Sequence, residues 1–209
     1  MEAILNSLAE GFDLPILDWI QANLQSAFMD FIMPIITLFG DAGIFWIACA
    51  VVMLFFPKTR KIGLGMGFAL IMGLLICNLM LKPLVGRIRP YDYQINVLGK
   101  SWTDILAAGQ LLIGKQSDFS FPSGHTIASF EACTVLMLGN KKLGIPATVL
   151  AILIAFSRLY LYVHYPTDVL VSIVLGTLFG ILGWMISKAL ARKVPFLEAP
   201  AVHKGKYER

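Results

Sequence analysis

The sequence predicts an all-α, polytopic membrane helix bundle with five spans, a short sixth apolar stretch left open, and N-terminal helices lying in the interface. Three observations carry that prediction. Apolar residues make up 57% of the 209 positions and charged residues only 14%, against about 25% charged in soluble domains, so lipid must cover most of the surface. Several uncharged runs approach the roughly 20 residues that cross a bilayer. The basic residues gather on alternate sides of those runs.

Residues 14–20 and Leu24 read as an amphipathic helix with Asp18, Gln21 and Asn23 on its polar side, the pattern of a helix lying flat at a membrane surface. Residues 27–40 are apolar but broken by Asp30 and Pro34, which makes them half-inserted or interfacial. The five spans follow at 43–56, 62–81, 122–139, 143–156 continuing toward Tyr162, and 169–187. The organisation is therefore an N-terminal interfacial segment (1–40), a membrane-embedded core (41–190) and a basic tail (191–209). Glu2 and Asp13, with no basic stretch ahead of an apolar core, argue against a secretory signal peptide.

Lys58, Arg60, Lys61, Lys141, Lys142, Lys188, Arg192, Lys193, Lys204, Lys206 and Arg209 all fall on one side of this arrangement. The excess of Lys and Arg marks that side, with the C-terminus, as cytoplasmic. Segments 83–121 and 158–166 then face away from the cytoplasm. The location predicted is the cell membrane, multi-pass, with any site at the outer ends of the spans. The net charge of +4 suits loops against anionic lipid, and no basic stripe with interleaved aromatics points to nucleic acid. Loop 91–121 is long enough to cover a site. Its Tyr91, Tyr93, Trp102 and Phe119 read as interfacial belt residues.

Three polar clusters sit at those outer ends: Lys82 to Pro90, Pro122 to His125, and Ser157 to Asp168. Each has an ordinary reading alone: Lys82, Arg87 and Arg89 as interfacial anchors, His125 as a satisfied helix-start histidine, Arg158 and Asp168 as a structural ion pair. Together on one face they describe a site. Lys82, Arg89 and Arg158 place three cations close together, which calls for an anionic ligand, and Arg matches phosphate oxygens in two-pronged fashion. Pro122 opens a helix, so Ser123 and Gly124 offer backbone N–H groups at its positive end. His164 and Asp168, four residues apart, can meet across one helical turn, and a carboxylate on one ring nitrogen makes the other a better nucleophile. His125 is free to act as acid and base. No residue spacing suggests a metal, and no cofactor is expected. Asn78 shares the Lys82 helix face as an accessory candidate. Arg87 either touches a second phosphate or anchors its helix. Glu131 lies about 120° around its helix from His125 and should not point into the same pocket.

With those residues in place, the chain resembles the type 2 phosphatidic acid phosphatases, the membrane-embedded branch of a histidine-nucleophile phosphatase superfamily. The signature K-x6-RP is met by Lys82, Arg89 and Pro90, PSGH by residues 122–125, and SR-x5-H-x3-D by Ser157, Arg158, His164 and Asp168. The resemblance covers about 60–190. It implies that His164 attacks phosphorus, Asp168 orients it, and His125 protonates the leaving oxygen and then activates water. Lys82, Arg89, Arg158, Ser123 and the Gly124 N–H would hold the phosphate oxygens. The substrate it points to first is undecaprenyl diphosphate, then phosphatidylglycerophosphate or phosphatidic acid. The reading from another class is a non-catalytic lipid-binding or transport protein derived from the family. The partners implied are the lipid substrate and the surrounding membrane lipids.

Overall fold

The computed structural model describes residues 2–194 and 197, and every regular element among them is helical. Helix α1 (Glu2–Leu8) passes through a widened turn at Ala9–Asp13 into α2 (Leu14–Leu24), with Pro15 in its first turn. Helix α3 (Ala27–Leu38) begins at Ser26, whose side-chain oxygen accepts the Met29 N–H at 3.3 Å, a standard N-cap. The chain then turns through Gly40–Gly43, with Ala42 and Gly43 left-handed at φ 47° and 67°, into α4 (Ile44–Phe55). Gly40 must be small, because a Cβ there would stand 2.7 Å from His125 Cδ2.

Helix α5 (Arg60–Met72) widens into a π-type segment at Gly73–Leu81 and tightens again as α6 (Lys82–Val85). Short helices α7 (Pro90–Asn96) and α8 (Trp102–Ala107) follow outside the bundle. Residues 108–123 are largely irregular and return to the bundle at α9 (Gly124–Gly139). The chain ends in α10 (Lys141–Tyr160) and α11 (Pro166–Ala191).

Among the described residues four helices are long and apolar enough to cross a bilayer: Ala27–Phe55, Arg60–Asn96, Lys141–Tyr160 and Pro166–Ala191. These bear out a multi-pass helical membrane class, and the count of five, or six, is not confirmed. Helix α9 has 16 residues, about 24 Å at 1.5 Å per residue, short of the roughly 30 Å hydrocarbon core. It is the inner helix, packed on α5, α10 and α11, and it runs from the end that holds segment 86–123 to the turn at Asn140. Residues 27–40, expected to stand apart, join α4 in one crossing broken at Gly40–Gly43.

Lipid is as apolar as leucine, so helices in a membrane associate by close packing of small residues. Helix α11 turns Gly176 and Gly180 toward α9, where a Cβ would meet Ile127 O at 2.8 Å and Thr134 Cβ at 2.6 Å. Trp46, Met66, Val135, Leu136 and Ile154 fill the core, and Trp46 Nε1 donates to Ser129 Oγ at 3.0 Å. Phe28, Phe31, Phe55, Val174 and Met185 point outward, as lipid-facing residues must.

The N-terminal helices close one end of the bundle. Leu14, Leu17 and Ile20 of α2 are buried. The side expected to be polar also faces protein: Gln21 Nε2 donates to Tyr160 O at 2.6 Å, and Asp18 Oδ1 accepts from the Tyr162 hydroxyl at 2.7 Å. The same end holds segment 86–123 and the turn 161–165, while the turns at 56–59 and Asn140 lie at the other. Of the basic tail, only 191–194 and 197 are described; Lys204, Lys206 and Arg209 lie outside the described residues.

Candidate active site

A cavity of about 760 Å³ lies within the bundle, and Asn78, Lys82, Arg89, Gly124, His125, Arg158 and His164 all line it. The three clusters, 82 positions apart between Lys82 and His164, thus meet at one place. Lys82 comes from the end of the widened helix, and Arg89 from the residue before α7. His125 sits in the first turn of α9, Arg158 in the last turn of α10, and His164 in the turn before α11.

His164 is 1% exposed, and its partners fix its proton. Arg89 Nη1 lies 3.2 Å from His164 Nε2. A guanidinium has no acceptor, so Nε2 presents its lone pair and the ring proton belongs on Nδ1. Nδ1 faces Ser120 Oγ at 3.4 Å and Asp168 Oδ2 at 3.6 Å. Ser120 in turn donates to Asp168 Oδ2 at 2.5 Å. The carboxylate expected beside His164 is therefore present, but 3.6 Å exceeds a direct hydrogen bond, and Ser120 stands between. Burial pushes the His164 pKa well below 6.5, and Arg89, Arg158 and Lys82 push the same way against a smaller opposing effect of Asp118. The ring is neutral with its lone pair facing the cations.

Arg158 is 1% exposed. Its Nη1 donates to Thr37 Oγ1 at 2.5 Å, while Nε and Nη2 have no hydrogen-bond partner. It is not paired with Asp168, which removes the structural ion-pair reading. Lys82 and Arg89 both pair with Asp118, Arg89 through Nη2 and Oδ1 at 2.5 Å. Arg89 also donates to Asp118 O at 2.9 Å and Val163 O at 2.7 Å. Burial alone would raise the Asp118 pKa, but Lys82 and Arg89 outweigh it and hold the carboxyl down at about 2. A carboxylate from loop 91–121 thus occupies the cations in this conformation.

Other expected residues lie differently. The Ser123 N–H donates to Ser172 Oγ at 2.8 Å, and the Ser123 hydroxyl accepts from Thr126 Oγ1 at 3.0 Å. Ser123 is fully buried and its N–H is not offered to an anion. Gly124 does line the cavity, and a Cβ there would stand 3.0 Å from Asn78 Oδ1, which has no hydrogen-bond partner. Arg87 turns away from the cavity toward Asp13 and Asp168, so neither the second-phosphate reading nor a simple interfacial anchor describes it. Glu131 lines the same cavity, against the expectation from helix angle. The cavity runs deep along α5, and Gly73 leaves room for the carboxyl: a Cβ at Gly73 would meet Glu131 Oε1 at 2.2 Å. Tyr91 and Tyr93 are fully buried rather than belt residues, whereas Trp102 and Phe119 are exposed. The Tyr91 hydroxyl donates to Gln116 O at 3.2 Å, tying down the loop that carries Asp118.

Sequence reasoning missed Asp13, Asp41, Asp118 and Ser120. Asp41 Oδ1 approaches His125 Nε2 at 3.0 Å, out of hydrogen-bonding alignment. Asp118 and Ser120 lie just ahead of Pro122, a position that hinted at proximity. Nothing in the sequence tied Asp13 or Asp41 to the histidines. Among the described residues no group of three or more His, Cys, Asp or Glu is placed to hold a metal ion.

Residues 62–192 match the PAP2 superfamily. An undecaprenyl-diphosphatase of Sulfolobus acidocaldarius is 28% identical over 177 residues, 84% of this chain and 79% of that protein. The undecaprenyl-diphosphatase BcrC of Bacillus subtilis is 28% identical over 174 residues, 83% and 81% of the two chains. The crystal structure of a transmembrane PAP2 type phosphatidylglycerolphosphate phosphatase from Bacillus subtilis superposes with a TM-score of 0.62 at 25% identity, covering 86% of this chain and 84% of that one.

Proposed function

The chain belongs to the PAP2 superfamily, with lipid phosphatases among its relatives, and from that premise we propose that it hydrolyses a polyprenyl diphosphate, undecaprenyl diphosphate first, through a phosphohistidine on His164 and without a metal. The observation that carries the mechanism is the setting of His164: buried, with Nε2 beside Arg89 and Nδ1 toward Ser120 and Asp168. The His164 Nε2 lone pair attacks the terminal phosphorus, forming a P–N bond as the bond to the bridging oxygen breaks and the polyprenyl monophosphate leaves. The leaving oxygen takes a proton from His125. Water then attacks the phosphohistidine, gives its proton back to His125, and releases phosphate. Lys82, Arg89 and Arg158 hold the oxygens on which charge builds, and stabilising that charge is the largest part of catalysis in phosphoryl transfer. Asp118 must give up Lys82 and Arg89 for phosphate to enter.

The lipid reading draws on the cavity, whose walls continue from the cations between α4 and α5 past Ile47, Val51, Leu64 and Leu74. That is a path for an apolar tail. The diphosphate reading draws on the two undecaprenyl-diphosphatases that match most of this chain. A second reading, phosphatidylglycerophosphate, draws on the structural neighbour. The site end faces out of the cytoplasm in this reading, since the basic turns at 57–61 and 141–142 lie at the other end. Residues 1–26 then rest in the outer interface over the site.

The test is phosphate release in detergent from undecaprenyl diphosphate, phosphatidylglycerophosphate and phosphatidic acid. We expect the diphosphate to lead by at least about tenfold in kcat/KM, or 1.4 kcal/mol of transition-state discrimination. His164→Ala should abolish release in folded protein, and a chelator should leave release unchanged. Turnover retained by His164→Ala, or lost to the chelator, overturns the mechanism.

A further inference from the structure

Arg87 belongs to the first cluster but does not line the cavity, and Asp13 lies outside all three clusters, yet both are buried against the group behind His164. Asp13 comes from the turn between α1 and α2 and its side chain is 0% exposed; the Arg87 side chain is 4% exposed. Arg87 Nη2 meets Asp13 Oδ2 at 2.6 Å, and Nη1 meets Asp168 Oδ1 at 2.6 Å. The guanidinium carbon lies over the Tyr165 ring, 3.7 Å from its centroid. Asp13 is held further by Thr167, whose N–H and Oγ1 donate to it at 2.9 Å and 2.8 Å. Asp168 keeps its other oxygen for Ser120 and the Tyr165 N–H.

We propose that Asp13 is a positioning residue of the active site, acting through Arg87 to keep the cluster behind His164 net negative. The inference rests on the assignment of His164 as nucleophile and extends it to the N-terminal helices. Arg87 and Asp168 alone would be a neutral pair, with little field left for the imidazole. Asp13 restores one negative charge across alternating carboxylate, guanidinium and carboxylate. As the P–N bond forms, His164 gains positive charge, and a net anionic cluster at Nδ1 stabilises it. Burying a carboxylate is costly unless it is paired, and α2 already has Leu14, Leu17 and Ile20 with which to hold the bundle. A helix serving only as a cap needs no buried acid.

The other charged groups around His164 are Lys82 from α6, Arg89 before α7, Asp118 from the loop, His125 from α9 and Arg158 from α10. None contacts Asp13, so substitution there isolates its effect. Removing the Asp13 charge disfavours imidazolium and lowers the acid limb of kcat/KM. Removing the Arg87 charge favours imidazolium and raises that limb.

The experiment uses the full chain in detergent with undecaprenyl diphosphate, or phosphatidic acid if that turns over faster. Asp13→Asn should move the acid limb down by about half a pH unit and Arg87→Gln up by about as much. In Asp13→Asn, kcat should fall about tenfold with KM within about twofold. A loosened fold cannot shift the limb in opposite directions. Limbs that stay put, or move together, overturn the proposal. Arg87→Lys keeps the charge but cannot reach both carboxylates, and is the milder change if the others do not fold. It should lower kcat several-fold and leave the limb in place; wild-type kcat or a shifted limb overturns the proposal. Activity retained by His164→Ala would bring down the nucleophile assignment and this inference with it, whereas inactive His164→Ala with unmoved limbs brings down this inference alone.

Discussion

Arg158→Met should make the protein more stable and nearly inactive. Arg158 is 1% exposed, and only Nη1, bonded to Thr37, has a hydrogen-bond partner on the side chain. Its cavity neighbours Lys82 and Arg89 are also cations. A buried charge with unmet donors costs several kcal/mol, and methionine fills similar volume without it. Replacing buried ionic groups by apolar ones of matched size stabilises by about 1–4 kcal/mol. At about 2–4 °C per kcal/mol for a chain of this length, Tm should rise by several degrees. The same guanidinium should stabilise the transferring phosphoryl group, and losing one such donor costs about 10²–10³ in kcat. Thermal unfolding in detergent with and without inorganic phosphate, beside phosphate release, tests both arms. Phosphate should stabilise the wild type more than the variant. A variant that melts lower than wild type and still turns over would refute the argument that Arg158 awaits an anion.

Three further outcomes follow from the geometry. His164 is held neutral below pH 6.5, so the acid limb of kcat/KM should lie well below that value. The unfolded chain protonates His164 near 6.5 while the fold does not, so stability from this group is complete above that pH and is lost as pH falls below it; a limb at or above 6.5 would contradict the assignment. Asp118→Asn removes the carboxylate that competes for Lys82 and Arg89, so inorganic phosphate should inhibit the variant at several-fold lower concentration; unchanged inhibition would show that Asp118 is no competitor. Gly180→Leu forces a side chain into Thr134, where a Cβ already stands 2.6 Å away, and overpacking of this kind costs about 1–3 kcal/mol or more. A lower Tm is expected, and an unchanged Tm would mean that α9 and α11 are not held in this contact.

Much of the site was legible because a few residue types at fixed spacing leave few chemical uses. Lys82, Arg89, His125, Arg158 and His164 were paired with a phosphate from the sequence, and the fold brings them to one cavity. What the sequence could not weigh was competition for each polar group. Ser123 looked like an anion donor until Ser172, 49 residues away, took its N–H. Arg87 looked like a phosphate ligand or an anchor until two buried carboxylates claimed it. The count of five or six spans is not confirmed for a related reason, which concerns α9. Composition shows that 122–139 is apolar, but not that α9 lies inside a ring of other helices and so need not match the bilayer's thickness.

The sequence by itself determined the helical membrane class, the clustering of cations and imidazoles at one end of the helices, and the family signature. These follow from hydropathy, charge distribution and local spacing, all of which a single chain records in order. Tertiary structure decided which acid faces which base. Asp13, Asp41 and Asp118 are ordinary acids in sequence, and only packing brings Asp13 against Arg87, Asp41 beside His125 and Asp118 onto Lys82. Inside a bundle a carboxylate must find a partner among whatever the neighbouring helices present, and that choice is made by three-dimensional proximity rather than by distance along the chain.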